Sequence, residues 1–395
     1  MALSIKDLIT EADRCVACGL CLPHCPTYRK TGSEADSPRG RIQLMRAVAQ
    51  EILPNNARFN EHIDLCLNCR SCESACPNNV SYGHLVDTSR AIFMRKKSIW
   101  LTIAKPFIRH RYLQHGLAWS VWLIQKLKLS YLLQYVVPAA KVLPAINVPT
   151  IWKTLYPSDD TQVNKGDVSL FLGCATNTLD NQTLKASIYV LNKLGFNVHI
   201  PTQQTCCGSI ARQMGDTDEA EKLVAQNQAG LADNMPVLTV ASGCGAGLND
   251  YLPKHNVQDI SAFLMSCDWS AIKIQALAER IYVQDPCTLR NVQKSHQTVY
   301  SLLKKIPLAD IQPLAGNGQC CGGAGAYMLT QNDMATNLRN DKINAIKENN
   351  VAILATSNIG CSLHIATGLR AQNLDVSIEH PIEIIAKQVG FAGIL

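Results

Sequence analysis

Cys15-Val16-Ala17-Cys18-Gly19-Leu20-Cys21-Leu22-Pro23-His24-Cys25-Pro26 sets four thiols at a fixed spacing, Cys-x2-Cys-x2-Cys-x3-Cys, and follows the last with proline. The same pattern returns as Cys66-Leu67-Asn68-Cys69-Arg70-Ser71-Cys72-Glu73-Ser74-Ala75-Cys76-Pro77. Soft thiolates this close together suit iron–sulfur clusters. In a doubled run of this kind the fourth cysteine of each run ligates the other cluster. That crossing assigns Cys15, Cys18, Cys21 and Cys76 to one [4Fe–4S] cluster and Cys66, Cys69, Cys72 and Cys25 to a second. Zinc ribbons usually pair two Cys-x2-Cys units across a longer loop, so two structural zinc sites fit the spacing poorly.

The stretch between the runs is predicted to hold a helix from Arg39 to Ile52, with Ile42, Leu44, Met45 and Val48 mostly on one face. Asp36-Ser37-Pro38 reads as its turn and N-terminus. Residues 1–97 are therefore expected to form a mainly helical two-cluster ferredoxin domain. Arg39 and Arg41, at the helix start, are open to three readings: facing a cluster, a partner or solvent.

Downstream, the chain repeats itself. Cys174, Cys206-Cys207-Gly208 and Cys244 return as Cys287, Cys320-Cys321-Gly322 and Cys361, so a unit of four cysteines occurs twice. Each unit reads as alternating strand and helix: Val168 to Leu172 ends at Gly173-Cys174, Val237 to Val240 at Cys244, Ile281 to Val283 at Cys287, and Val351 to Leu354 near Cys361. Thiols just past strand ends sit where open α/β sheets bind ligands. The expected fold is thus α+β and α/β, the ferredoxin-like part being followed by two tandem α/β Cys-rich units related by pseudo-twofold symmetry, over residues 165–278 and 279–395. Gly243, Gly245 and Gly247, like Gly322, Gly323 and Gly325, lack the spacing of a dinucleotide loop. They read instead as places where backbone passes close to a cluster and turns N–H groups toward sulfur. Cys267 matches no repeat position and reads as a small buried hydrophobe.

The chain has 395 residues and a formal charge of +6, enough for two or three domains. No Asp or Glu occurs from Thr88 to Ser158, while Arg90, Arg95, Lys96, Lys97, Lys105, Arg109, Arg111, Lys126, Lys128, Lys141 and Lys153 fall there, with Trp100, Trp119, Trp122 and Trp152. Residues 98–160 are expected to be a basic aromatic connector that docks on a membrane or a partner. Its uncharged runs, Tyr112 to Gln125 and Leu129 to Ala140, fall short of the ~18–20 residues of a membrane span. An interfacial amphipathic helix with Leu113, Leu117, Val121, Ile124 and Leu127 on its apolar face fits better. Nothing else in the chain suggests a nucleic-acid partner. Met1 to Asp7 show no basic region followed by an apolar one, so reduced cytoplasmic thiols are expected.

The two ferredoxin runs, the Pro38-Arg39-Gly40-Arg41-Ile42 sequence between them and the two Cys-Cys-Gly repeats resemble the iron–sulfur subunit of bacterial glycolate oxidase. Related architectures are the iron–sulfur subunit of anaerobic glycerol-3-phosphate dehydrogenase and the heterodisulfide reductase group. The resemblance implies an oxidoreductase subunit with no catalytic residue of its own, serving a flavoprotein (FAD) partner that oxidises glycolate or a similar 2-hydroxy acid. It implies two [4Fe–4S] clusters and no flavin or NAD on this chain. Electrons would pass on to a membrane quinone or another acceptor, from a cytoplasmic protein peripheral on the inner face of the membrane. In the fullest form of the repeat a fifth cysteine completes a noncubane cluster; here Gly247 and His364 stand in that place. Cys174, Cys206, Cys207 and Cys244, and Cys287, Cys320, Cys321 and Cys361, are thus expected to hold one or two further iron–sulfur centres, to contact a quinone, or to line an empty cleft. Glycerol-3-phosphate as the partner's substrate and disulfide reduction at the repeats are the rival readings; the second needs the five-cysteine unit that this chain lacks.

Overall fold

The computed structural model describes residues 4–94, 105–107, 109–127, 146–159 and 163–393. The first of these stretches is helical: α1 (Ile5–Asp13), α2 (Pro26–Thr31), α3 (Pro38–Ala49), α4 (Ala57–Asp64), α5 (Ser71–Ser74) and α6 (Tyr82–Phe93). They enclose one apolar core around Leu8, Met45, Ile63 and Leu85. Helix α3 starts as its sequence predicts, Ser37 Oγ accepting from the Gly40 amide at 3.0 Å with Pro38 in the first turn. Its end differs from the expectation. Glu51 takes the left-handed conformation at φ 59°, and the amides of Glu51 and Ile52 turn back onto the Val48 and Ala47 carbonyls. This is a Schellman stop without the usual glycine, so the helix ends at Ala49 and leaves Ile52 exposed.

Helix α7 (Arg111–Lys126) follows. Of the expected connector, residues 98–104, 108, 128–145 and 160 lie outside the described residues, and with them Trp100 and the Leu129 to Ala140 run. Helix α7 packs on α8 (Cys174–Leu179), burying Gln114 and Ala118 with Asn177 Nδ2 donating to Gln114 Oε1 at 3.4 Å. Its exposed stripe is consequently Tyr112, Leu117, Trp119, Leu123 and Leu127. Leu113, Val121 and Ile124, placed on the free apolar face by periodicity, are half-buried.

The rest is two α/β units. Strands β1 (Leu155–Tyr156), β2 (Gly166–Phe171), β3 (Phe196–His199), β4 (Val237–Thr239) and β5 (Val257–Asp259) make one sheet in the order β1-β3-β2-β4-β5. Its helices are α8, α9 (Asn181–Lys193), α10 (Ser209–Gln213), α11 (Thr217–Gly230), α12 (Ser242–Tyr251) and α13 (Ile260–Met265). Strands β6 (Arg280–Gln284), β7 (Asp310–Pro313), β8 (Ile353–Thr356) and β9 (Ser377–Glu379) make the second, in the order β7-β6-β8-β9. Its helices are α14 (Cys287–Asn291), α15 (His296–Leu303), α16 (Tyr327–Thr330), α17 (Asn332–Glu348), α18 (Ile359–Ala371) and α19 (Pro381–Gln388).

The strand order β3-β2-β4-β5 is repeated as β7-β6-β8-β9, with every pairing parallel. Among the described residues only β1, supplied by the segment before the repeat, runs antiparallel, against β3. Buried on both faces, β2 reads as a continuous run, Val168-Ser169-Leu170-Phe171, rather than an alternation. The two units are fused through one core in which Leu170, Leu184 and Ile188 of the first meet Ile281, Leu302 and Ile385 of the second. Helix α19, the last element of the chain, closes this core by packing on α9 of the first unit.

Candidate iron–sulfur sites

Cys15, Cys18, Cys21 and Cys76, drawn from both ends of the ferredoxin-type segment, line one cavity, whose wall also carries Cys72 and Arg39. The turn is tight. Gly19 sits at φ 86°, where an added Cβ would stand 2.9 Å from Arg39 Nη1. Arg39 Nη1 also donates to the Ala17 carbonyl at 3.0 Å. Cys18 is exposed, and Cys15, Cys21 and Cys76 are half-buried. Burial pushes the Cys21 thiol up to about 11.

Cys25, Cys66, Cys69 and Cys72 are all buried and are electrostatic neighbours of one another. Burial holds the Cys69 and Cys72 thiols well above their ordinary range, so each gives up its proton readily only when positive charge binds beside it. The set is surrounded by donors. The Tyr82 hydroxyl donates to Cys66 Sγ at 3.6 Å and the Asn68 amide at 3.4 Å. Arg41 Nη1 lies 4.0 Å from Cys25 Sγ. Of the three readings left open for the arginines, the solvated one does not hold for Arg41, whose side chain is fully buried against the second cysteine set. Arg39 stays at the surface beside the first.

The repeat cysteines meet across a single cleft that all eight of them line. Cys174 and Cys244 follow β2 and β4, and Cys287 and Cys361 follow β6 and β8, so each pair marks the point where the sheet reverses its winding. Cys206-Cys207 and Cys320-Cys321 enter from the loops after β3 and β7. Sulfur atoms lie 3.5 Å apart at Cys174 and Cys206, 3.9 Å at Cys287 and Cys320, and 3.0 Å at Cys321 and Cys361. Hydrogen bonds from neighbouring thiols lower Cys207 and Cys321, Cys206 and Cys320 being the principal donors, and Cys206 likewise lowers Cys174. Backbone amides point at sulfur as the glycine reading expects at Gly322, on Cys320 Sγ at 3.4 Å, and at Gly323, on Cys321 Sγ at 3.4 Å; Gly208, which that reading does not name, does the same on Cys206 Sγ at 3.5 Å. His364 is buried with Nε2 3.0 Å from the Ala335 carbonyl. Cys267 is half-buried at the edge of the shared core, away from every other cysteine set.

Among the described residues no three His, Cys, Asp or Glu side chains are drawn together tightly enough for a single ion. A four-iron cube is wider than one ion, and the thiols that line cavities here suit it in number and chemistry.

The second ferredoxin-type set is joined to the cleft. Cys69 shares a buried side-chain cluster with Cys320, against which Cys287 packs. Asn291 Nδ2 donates to the Cys69 carbonyl at 2.9 Å, and the Tyr327 hydroxyl to the Leu65 carbonyl at 2.9 Å. Arg70, held in the left-handed conformation at φ 57°, binds Glu73 through Nε at 2.7 Å and Asp250 of the first repeat through Nη1 at 2.8 Å. No sequence pattern marks Arg70 or Tyr327 for these roles, because Asp250 and Leu65 lie far away in the chain.

Comparison with known proteins agrees with this arrangement. A 4Fe-4S dicluster domain matches residues 11–80, and a cysteine-rich domain matches residues 168–249 and 281–366. The probable glycolate oxidase iron–sulfur subunit of Bacillus subtilis (strain 168) is 29% identical over 98% of this chain and 96% of its own length. The glycolate oxidase iron–sulfur subunit of Escherichia coli (strain K12) is 30% identical over 94% of this chain and 92% of its own. A fumarate reductase (CoM/CoB) subunit of Methanothermobacter marburgensis is 25% identical over 94% and 71% respectively. With two 4Fe-4S motifs, a duplicated cysteine-rich unit and near-complete coverage of such relatives, the chain belongs to the family of glycolate oxidase iron–sulfur subunits.

Proposed function

We propose that the chain is the electron-transfer subunit of a flavin-dependent 2-hydroxy-acid oxidoreductase whose substrate is glycolate. In this reading Cys15, Cys18, Cys21 and Cys76 hold one [4Fe–4S] cluster, Cys66, Cys69, Cys72 and Cys25 hold the second, and the repeats hold one or two further centres. Bound clusters supply one-electron carriers, which a flavin needs in order to pass on its two electrons singly. The observation that carries the reading is the continuity of thiols. The first set reaches the surface at Cys18, the second is buried behind it, and Cys69 packs against the cysteines of the cleft. Val16 and Leu20 flank Cys18 and are 67% and 56% exposed. They offer a flavoprotein a dry contact directly over the first set.

The exposed stripe of α7, with Trp119 at its middle and Lys126 4.7 Å over the Trp122 ring, supports peripheral docking on the cytoplasmic face of a membrane. No helix among the described residues is long and apolar enough to cross a membrane. Iron and sulfide analysis with EPR on anaerobically prepared protein is the test of ligation. About eight iron atoms or more per chain are expected, and fewer in fully loaded protein would overturn the two-cluster scheme.

A further inference from the structure

A cavity of about 300 Å³ opens between α6 and the first repeat, walled by α10, α11 and the end of α12. Its size is that of a small-molecule site, and nothing in the ligation scheme uses it. It shares Asp87, Arg212 and Tyr251 with the cysteine-lined cleft. Arg212 thus lines both spaces, and Cys207 lines the cleft on its other side.

The lining combines an aromatic platform, donors and protonatable groups. The Arg212 guanidinium lies 3.1 Å from the centroid of the Tyr251 ring, and its buried Nη2 has no hydrogen-bond partner among the described residues. The His84 ring meets Tyr251 edge-on with centroids 6.2 Å apart. Asp87 accepts from Asn68 Nδ2 at 2.9 Å, and burial pushes its carboxyl up. Val224 and Ala225 of α11 add an apolar wall.

Charge selects the class of ligand. Asp87 and Glu221 oppose Arg212 around the same space, so a carboxylate, phosphate or nucleotide meets no surplus of positive charge. A neutral, flat molecule with hydrogen-bond acceptors meets none of that opposition. The approach is also defined. Lys105 pairs with Asp216 at 2.7 Å, and Arg109 pairs with Glu219, which clamps the residues leading into α7 onto the first turn of α11, the cavity's own wall. The exposed apolar stripe of α7 therefore starts close to the cavity.

We propose that this cavity binds the head group of a lipid-soluble quinone and is where electrons leave the chain, an inference that rests on the electron-transfer reading above. The quinone takes two electrons, delivered singly and originating in the partner's oxidation of its substrate, and two protons. Both carbonyl oxygens become hydroxyls, Arg212 hydrogen-bonds one of them, and His84 and Asp87 pass in protons drawn from solvent.

Calorimetric titration of the intact, cluster-loaded chain with decylubiquinone under anaerobic conditions tests this. Wild type is expected to bind, and Ala225→Trp, which fills the mouth from an exposed position, and His84→Ala are each expected to weaken binding at least tenfold. Iron content and circular dichroism report that the variants are folded and loaded. Binding absent from wild type, or equal in all three proteins, overturns the assignment. Failure of the underlying reading is seen separately, as wild type whose visible absorbance does not bleach when flavoprotein and glycolate are added.

Discussion

Arg41 is 1% exposed, and replacing it with glutamine should loosen the second cysteine set more than any other single polar change in α3. Its Nε donates to the His62 carbonyl at 2.6 Å and its Nη1 to Thr27 Oγ1 at 3.0 Å. Nη2 lies 3.6 Å from the carboxylate of Asp36, itself buried and otherwise held by His62 Nδ1 at 2.8 Å. Burial alone pushes the guanidinium down, but Tyr82, Cys66, Cys25 and Asp36 more than offset it and keep the charge in place. Removing one partner of a buried ion pair costs about 3–5 kcal/mol. Because His62 still faces Asp36, the lower end applies. Cluster-bearing multi-unit chains do not melt in two states, so the assay is amide hydrogen exchange in the intact protein. A loss of about 3 kcal/mol speeds exchange of the α3 and α4 amides roughly a hundredfold. Arg39→Gln is the control, since its pair with Glu34 at 2.6 Å is 32% and 50% exposed and surface pairs contribute about 1 kcal/mol or less. Arg41→Gln exchanging within about threefold of wild type, or no faster than Arg39→Gln, would refute the reasoning.

Gly40→Ala would place a Cβ 1.9 Å from the Glu34 carbonyl oxygen, forcing a backbone shift that costs about 1–3 kcal/mol. Gly32→Ala, at φ 65° with open space around it, costs only the left-handed penalty of about 1–2 kcal/mol, and thermal inactivation rates should rank the two in that order. Cys76→Ser should perturb the EPR signal that Cys15→Ser perturbs and spare the one lost in Cys66→Ser; the opposite pattern would mean that each run ligates its own cluster. Glu383, half-buried between α9 and α19 beside Asp180 and Thr183, has its carboxyl pushed up by burial to about 8. The folded chain therefore keeps a proton that the unfolded chain releases near pH ~4.3. Stability should fall as pH rises from about 4.3 through 8 and level off beyond. Glu383→Gln should flatten that decline in melting temperature, and an unchanged slope would remove Glu383 as its cause.

Local signals suffice for the parts of the molecule whose cause is local. Both cysteine runs, the duplicated four-thiol unit and the strands ending at Cys174, Cys244 and Cys287 follow from spacing and from short β-prone runs, and the parallel sheets then bring all eight repeat cysteines to one cleft. What escapes the sequence depends on contacts between distant segments. Arg41 looks like any residue at a helix start because its partners His62, Thr27 and Asp36 come from three other places in the chain. The apolar face of α7 is misplaced by periodicity for a related reason: Gln114, a polar residue, is buried by its bond to Asn177, which rotates the helix so that Tyr112 and Trp119 face outward. The stop at Ala49 carries no sequence signal because glutamate rather than glycine occupies the left-handed position.

The duplication also separates what the fold demands from what the site demands. Strand order, the Cys-Cys-Gly turns and the amides on sulfur recur in both units. The buried cations do not recur in place. Arg212, six residues after Cys206, has Ala326 as its counterpart after Cys320. Lys342 of α17, 1% exposed with Nζ donating to the Gly316 carbonyl at 2.7 Å, stands near Cys321, Cys320 and Cys361. Neither cation forms a salt bridge within the described residues, and burying an unpaired charge is costly. A packing requirement would have kept the cation at the same position in both copies. Its presence in both, on different elements, is instead what four thiols require if they are to become thiolates in each half, and this supports the proposal that both repeats hold anionic centres. The two halves would then be unequal, one charge stacked on Tyr251 at the edge of a cavity and the other sealed inside α17. Lys342→Met should therefore shift the potential of one centre and leave the other in place; a redox titration in which both move together would count against separate centres.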